Sequence, residues 1–231
     1  MDDALIESLK QWNIKAILPL QVGDFQLLEE YRLIEKDGKS VEYRIFTYKN
    51  KENGWTLRAV FNPESEEYAI RADIGMLEFA LIEFITDDFS LFKTMVEGRL
   101  ARLIHNDYVE PACNFSVIFK DKGLAKVEWD GFLPQQYKGF VRQIEPKTAV
   151  RIINGSYMIL SYYDAATRSG LSLMYNILRD DFFAERRLEN FPNLVHDFDT
   201  SSLEELAKAL EKHLLPVLDA IAADRDKTLS E

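Results

Sequence analysis

"TDDFSLFKTMVEGRLARLI" (Thr86–Ile104) and "TSSLEELAKALEKHLLPVL" (Thr200–Leu218) each follow a polar opening with an apolar stripe. Whether they are one element used twice decides how this chain folds. Their apolar positions coincide at a separation of 114 residues: Phe89/Leu203, Phe92/Leu206, Met95/Ala209, Val96/Leu210, Leu100/Leu214, Leu103/Val217 and Ile104/Leu218. Recurrence at three and four residues is the signature of an amphipathic helix. Each stretch opens on a threonine read as the cap. An aromatic, Phe84 or Phe198, stands two residues earlier and can staple the entering chain. Asp87 and Asp88 suit the first turn of a helix, which needs no catalysis to explain them.

Many helices look alike at a period of 3.6, so the segments upstream carry independent weight. "NGWTLRAVF" (53–61) and "SGLSLMYNI" (169–177) share a turn glycine, a hydroxyl and a leucine: Gly54/Gly170, Thr56/Ser172 and Leu57/Leu173, now 116 apart. An aromatic strand precedes each turn, "YRIFTY" (43–48) in one case and "MILSYYD" (158–164) in the other. Three elements in one order at nearly one spacing point to a structural repeat. Two features stand against it. The expected helix over 1–17 faces a region, 116–131, that reads as a hairpin. Pro216 also interrupts the second helix pattern, which reads as breaking near Leu215 and restarting with Pro216 in a new first turn.

Strand patterns fill the rest of both halves. Segments 24–35 and 41–49 flank the turn signal "KDGK", and further strands are expected at 66–73 and 76–85. In the second half, 113–120 and 124–130 flank "DKG", followed by 137–144, 148–153, 157–164, 171–178 and 182–187, then an irregular piece around Pro192. Strands run together before each helix, which specifies α+β with antiparallel meanders and excludes alternating βαβ. The expected organisation is a half over 1–108, with an N-terminal helix, a meander and a helix over 86–105. A second half over 109–231 holds a meander, a helix over 200–224 and a frayed tail. The chain thus reads as antiparallel meanders each closed by an amphipathic helix, with two similar halves packed together as the further reading.

Composition bounds the function classes. The 231 residues include 28 Lys and Arg against 39 Asp and Glu, a net charge of −11. Such a chain repels phosphate backbones and anionic lipid unless cations gather on one face. Arg99 with Arg102, and Arg186 with Arg187, are short clusters with acids nearby, so the expectation is no nucleic acid and no membrane, with a protein partner, if any, basic. The opening "MDDALIESLKQW" has no basic segment ahead of an apolar one, and no stretch reaches the 18–20 apolar residues of a membrane span. The single cysteine cannot form an internal disulfide. A cytoplasmic location is the expectation.

Catalytic constellations are sparse. Cys113 lies eight residues after His105, with Asp107 between them, so a thiol–imidazole pair with a carboxylate is conceivable. His196 sits beside Asp197 and Asp199, but in an extended segment it shares a face with Phe198 instead. No H-x-x-x-H, H-E-x-x-H, C-x-x-C, G-x-S-x-G or P-loop spacing occurs, so neither a metal nor a cofactor is expected. Tyr157, Tyr162, Tyr163 and Tyr175 crowd one hairpin. Alternation places Tyr162 and Tyr163 on opposite faces, leaving one for an open binding surface. The leading reading is a non-enzymatic protein-binding or regulatory protein, akin in composition and architecture to small acidic chaperone-like and immunity-like proteins. The alternative is a hydrolase-type enzyme with a site between the halves, using Cys113 with His105 and Asp107, or His196.

Overall fold

In the computed structural model, which describes residues 3–36 and 39–228, the chain divides into two compact units, Met1–Val109 and Glu110–Glu231. The fold is α+β, two antiparallel meanders each closed by a helix. The first unit begins with α1 (Asp3–Lys10) and α2 (Ile14–Ile17). The single helix expected over 1–17 is therefore two, interrupted at Gln11–Asn13 so that Trp12 can enter the core. Six strands follow: β1 (Gln21–Val22), β2 (Phe25–Lys36), β3 (Lys39–Asn50), β4 (Thr56–Asn62), β5 (Glu67–Asp73) and β6 (Glu78–Thr86). They lie in the sheet in chain order. The middle of the "KDGK" turn, Asp37 and Gly38, lies outside the described residues.

Helix α3 (Phe89–Met95) continues through a π-helical turn, Val96–Leu100, into α4 (Ala101–Ile104) and a second π turn, His105–Val109. Phe92, Val96, Leu100 and Ile104 are buried along it. They cover the sheet face made by Leu57, Ala59, Phe61, Tyr68, Ile70 and Ala72, which alternation turns inward. Ring contacts tie these layers: Tyr68 stacks on Phe92 at 5.4 Å, and Trp12 meets Phe46 at 5.8 Å and Phe92 at 6.1 Å.

The second unit departs from expectation at its start. Residues 113–130 form no hairpin. They make a 3₁₀ turn, Pro111–Asn114, helix α5 (Val117–Lys122), and two further 3₁₀ turns. Ser116 caps α5 by accepting from the Phe119 N–H, and Gly123, at φ 79°, closes it. A glycine in the left-handed region ends helices as readily as it turns hairpins, which is why "DKG" misleads. Strands β7 (Gln136–Tyr137), β8 (Phe140–Ile144), β9 (Val150–Arg151), β10 (Ser156–Asp164), β11 (Ser169–Asn176), β12 (Asp181–Leu188) and β13 (Phe191–Thr200) follow. The order across the sheet is β13-β12-β11-β10-β8-β7, with β9 pairing β10. The irregular piece expected around Pro192 is the edge strand β13, where a missing N–H is tolerated. Helix α6 (Leu203–Thr228) runs unbroken through Pro216, so the expected break near Leu215 does not occur. Buried Leu206, Leu210, Leu214, Leu218 and Ile221 join Tyr157, Tyr162, Tyr175 and Phe182 in one core.

The two units are one plan used twice, and helical residues before each meander remove the first objection to a repeat. "LPLQVGDF" (18–25) and "LPQQYKGF" (133–140) form the same opening hairpin, Val22 opposite Phe25 and Tyr137 opposite Phe140. Tyr48 and Tyr162, 114 residues apart, are fully buried and each donates at 2.6 Å to a proline carbonyl, of Pro19 and Pro134 respectively. Asn62 and Asn176 end equivalent strands, and each side-chain oxygen accepts from the N–H groups two and three residues on. The cross-strand ring pairs Phe61–Tyr68 and Tyr175–Phe182 have centroids 4.9 and 4.8 Å apart. Helix entry matches as well. Thr86 and Thr200 are not the caps; their hydroxyls accept from the N–H of Asp88 and Ser202, whose side chains cap the helices two residues later.

Candidate functional site

Where two repeats keep the same inner face, their outer faces show what each is adapted to do. On β3 and β4 of the first unit, Thr47, Lys49, Thr56 and Arg58 point away from the core, on the opposite parity to Phe46, Tyr48, Leu57 and Ala59. Asn62/Asn176 fixes the register of these strands at 114, which overturns the expected 116-residue pairing of Gly54 with Gly170, Thr56 with Ser172 and Leu57 with Leu173; Gly170 lies within β11 and is not a turn glycine. The positions 114 residues on from Thr47, Lys49 and Arg58 are Ser161, Tyr163 and Ser172, all buried. The charged face therefore belongs to the first unit alone.

That face is concave. A hollow of about 550 Å³ is lined by Leu28, Glu29, Glu30, Arg32, Arg44, Thr47, Lys49, Thr56 and Arg58, four cations against two carboxylates in a chain of net charge −11. Ladder pairing brings Thr47 opposite Arg58 and Lys49 opposite Thr56, close enough for their side chains to act together. Glu30 accepts from the Thr47 hydroxyl at 2.5 Å and from Arg32 Nε at 2.6 Å. Burial opposes the charge on its carboxyl, but these two hydrogen bonds and the charges of Arg32 and Arg44 hold it below the ordinary value. Glu29 is paired with Lys15 and Arg44 with Glu42, each at 2.5 Å. Both acids of the hollow are thus already neutralised.

Arg58 is held from the side. One of its terminal nitrogens lies 2.6 Å from Glu78, which also accepts from Arg71 at 2.8 Å, and the other lies 3.9 Å from Asp73. Burial opposes the charge on Glu78, yet Arg58 and Arg71 outweigh it and keep that carboxyl below its usual value. The Arg58 Nε–H and the Thr56 hydroxyl are buried and have no hydrogen-bond partner. A buried donor left unsatisfied costs about 1–3 kcal/mol, and the second unit carries the same cost at Ser161 Oγ and Arg187 Nε, which are buried without partners as well. Alternation of polar residues at Thr47 and Lys49, then Thr56 and Arg58, is the signal by which the sequence could have revealed this face, whereas Arg44, three residues before Thr47, joins it through the register shift between Arg44 and Phe46.

The residues singled out from sequence lie elsewhere. Tyr157, Tyr162, Tyr163 and Tyr175 are all buried, which corrects the expectation of an open aromatic surface. Tyr157 accepts from the Ser116 N–H, Tyr162 donates to Pro134 and Tyr175 to Asp180. Their phenols are structural donors and acceptors at the ends of a packed core. Cys113 is exposed, with its thiol 3.5 Å from Glu110. The Glu110 carboxylate beside it pushes the thiol up, away from the reactive thiolate. His105, with Nδ1 3.4 Å from Asn106, and Asp107 lie on the second π turn of the first unit.

His196 does meet a carboxylate, although alternation places both neighbouring aspartates on the opposite face. Its Nδ1 lies 2.6 Å from Asp199, so Asp199 is engaged there, and the helix cap is Ser202. Asp197 reaches His213 on α6 at 3.4 Å. These are two separate exposed pairs, and no three His, Cys, Asp or Glu among the described residues are grouped to hold a metal. Arg186 is paired with Asp224 and Arg187 with Glu185, which answers the basic cluster at that position. Among the described residues, no helix is long and apolar enough to cross a membrane.

Fold and site together define a tandem pair of helix–meander–helix units, one of which carries a charged concave sheet face. No protein-family model, curated protein or solved structure matches the chain.

Proposed function

We propose that this is a non-enzymatic protein-binding or regulatory protein, and that its binding surface is the outer face of β2, β3 and β4. The observation that carries the reading is the concavity there, on a framework of fixed ion pairs with Lys49 exposed beside it. Sites on rigid strands hold their geometry without ligand, which lowers the entropy lost on binding. The reactive side chains of the second unit point the same way. Cys113 is tied to Glu110 with its thiol pushed up, and His196 and His213 are each paired with one aspartate. A basic partner, expected from the net charge, suits the acidic surface at large; on this face Arg32, Arg44 and Arg58 are each paired with a carboxylate, and Lys49 is exposed.

The test is affinity capture from the native cell by the full chain, beside a variant carrying Arg32→Glu, Arg44→Glu and Lys49→Glu. The expected result is a specific protein partner that the wild type retains and the variant loses. Capture of no specific partner, or one the variant retains equally, contradicts the reading.

A further inference from the structure

We propose that Ile82, Ile85 and Leu91 of the first unit form a self-association surface, occupied by the same surface of a second copy of this chain. They lie on β6 and α3 and share no residue with the hollow on β2–β4, so this surface stands or falls separately from that one. β6 is an edge of its sheet. Its pairing with β5 jumps from Leu81 opposite Ile70 to Thr86 opposite Tyr68, so residues 82–85 bulge out against Ala69 alone. In the second unit β13 bulges at the equivalent place, between Val195 opposite Ala184 and Thr200 opposite Phe182, each position 114 residues on. One phenylalanine of each bulge, Phe84 or Phe198, is buried, and the other three residues face solvent. Such a bulge blocks strand addition along the edge and leaves its side chains to make the contact.

The second unit shows which positions meet. His196 Nδ1 lies 2.6 Å from Asp199, His213 lies 3.4 Å from Asp197, and Glu205 accepts from the Thr200 hydroxyl at 2.6 Å. By the spacing of 114, position 82 is therefore beside 85, 83 beside 99, and 91 beside 86. In the second unit all of these side chains are polar and engaged with one another. In the first, Ile82, Ile85 and Leu91 are 68%, 40% and 48% exposed. An apolar cluster where a repeat of the same architecture is polar marks a contact surface. Charge selects the occupant. Glu83 and Asp87 are balanced by Arg99 and Arg102, and all four are exposed without an ion pair among the described residues. A strongly basic or acidic partner would meet as many like charges as opposite ones. A two-fold contact instead sets Glu83 of each copy against Arg99 of the other. A chain of net charge −11 repels its own copy at large, and a locally neutral patch is where that repulsion is least.

The test is sedimentation velocity on the full chain over a concentration series at physiological salt, which screens the net repulsion. One variant carries Ile82→His and Leu91→Glu, the residues the second unit holds at these positions, and circular dichroism confirms that it folds. A second carries Arg99→Glu, and a third adds Glu83→Arg to it, exchanging the two charges. The wild type is expected to dimerise. The first variant should raise the dimer Kd about tenfold or more, Arg99→Glu about fivefold, and the exchanged pair should return it to within about twofold of the wild type. A wild type that stays monomeric overturns the proposal, even where a captured partner depends on these residues, since the surface then belongs to that partner. A dimer insensitive to Ile82→His with Leu91→Glu, or to Arg99→Glu, overturns it as well. So does a charge exchange that restores nothing.

Discussion

Replacing Tyr48 or Tyr162 by phenylalanine removes one hydroxyl from each unit and leaves the ring. Both side chains are fully buried, and each phenol donates at 2.6 Å to the carbonyl of the proline that opens its meander. Losing a hydrogen bond of this kind costs about 1 kcal/mol net, and the orphaned proline carbonyl raises the total to about 1–2 kcal/mol per variant. The two should agree within about 1 kcal/mol, because the proline carbonyl, the distance and the burial match, while Arg142 stands beside Tyr162 alone. Urea denaturation followed by circular dichroism gives the number as a shift in midpoint at constant slope. Alkaline pH adds a second readout. Burial pushes both phenols up to about 12 from an ordinary 10.0, with Arg142 opposing it at Tyr162. A raised phenol pKa means the fold favours the neutral form, so this stabilisation is complete below pH 10 and is lost as the pH climbs from 10 towards 12. Each Phe variant should therefore lose less of its remaining stability over that window than the wild type does. A variant pair in which one costs more than 1 kcal/mol and the other nothing would refute the equivalence of the two units.

Three further outcomes follow from the same geometry. Thr56→Val replaces a buried, unpartnered hydroxyl by a methyl of similar shape, so unfolding experiments should find it unchanged or up to about 1 kcal/mol more stable. Gly23→Ala should cost about 2 kcal/mol or more, since a Cβ at φ +54° would lie 2.6 Å from a Val109 methyl; Gly54→Ala, at φ +78° with open space around it, should cost only about 1 kcal/mol. Cys113 should alkylate more slowly than a cysteine in an unstructured peptide near neutral pH, and Glu110→Gln should speed it, because the Glu110 carboxylate is the main cause of the raised thiol. Rapid labelling unaffected by Glu110→Gln would contradict that cause.

Much of the fold was legible because burial is periodic. Phe92, Val96, Leu100 and Ile104 and their counterparts Leu206, Leu210, Leu214 and Leu218 all face the core, and their common spacing of 114 survives a π turn in one helix and a proline in the other. Local signals were weaker wherever one residue type serves two geometries. Gly123 ends a helix where a hairpin turn was expected, and Thr86 and Thr200 bind the cap residue's N–H without being caps themselves. Pro192 suggested irregularity because a proline cannot serve a central strand, but nothing local says that β13 is an edge.

The site was harder to read. The tyrosine-rich hairpin drew attention by composition, yet β10 and β11 are buried along almost their whole lengths, and alternation cannot say whether a second face is covered. The charged face of β2–β4 assembles residues from three strands, and register brings Lys49 opposite Thr56. What singles it out, a hollow lined from three strands, is a property of packing that no spacing encodes.

The most direct measurement is amide hydrogen exchange by mass spectrometry on the full chain, with and without the protein partner that it captures from the native cell. The account expects slowed exchange in peptides covering Leu28–Arg32, Arg44–Lys49 and Thr56–Arg58, and no change in β10–β13. Protection confined to the second unit, or none anywhere at saturating partner, would contradict the assignment of this face as the binding surface.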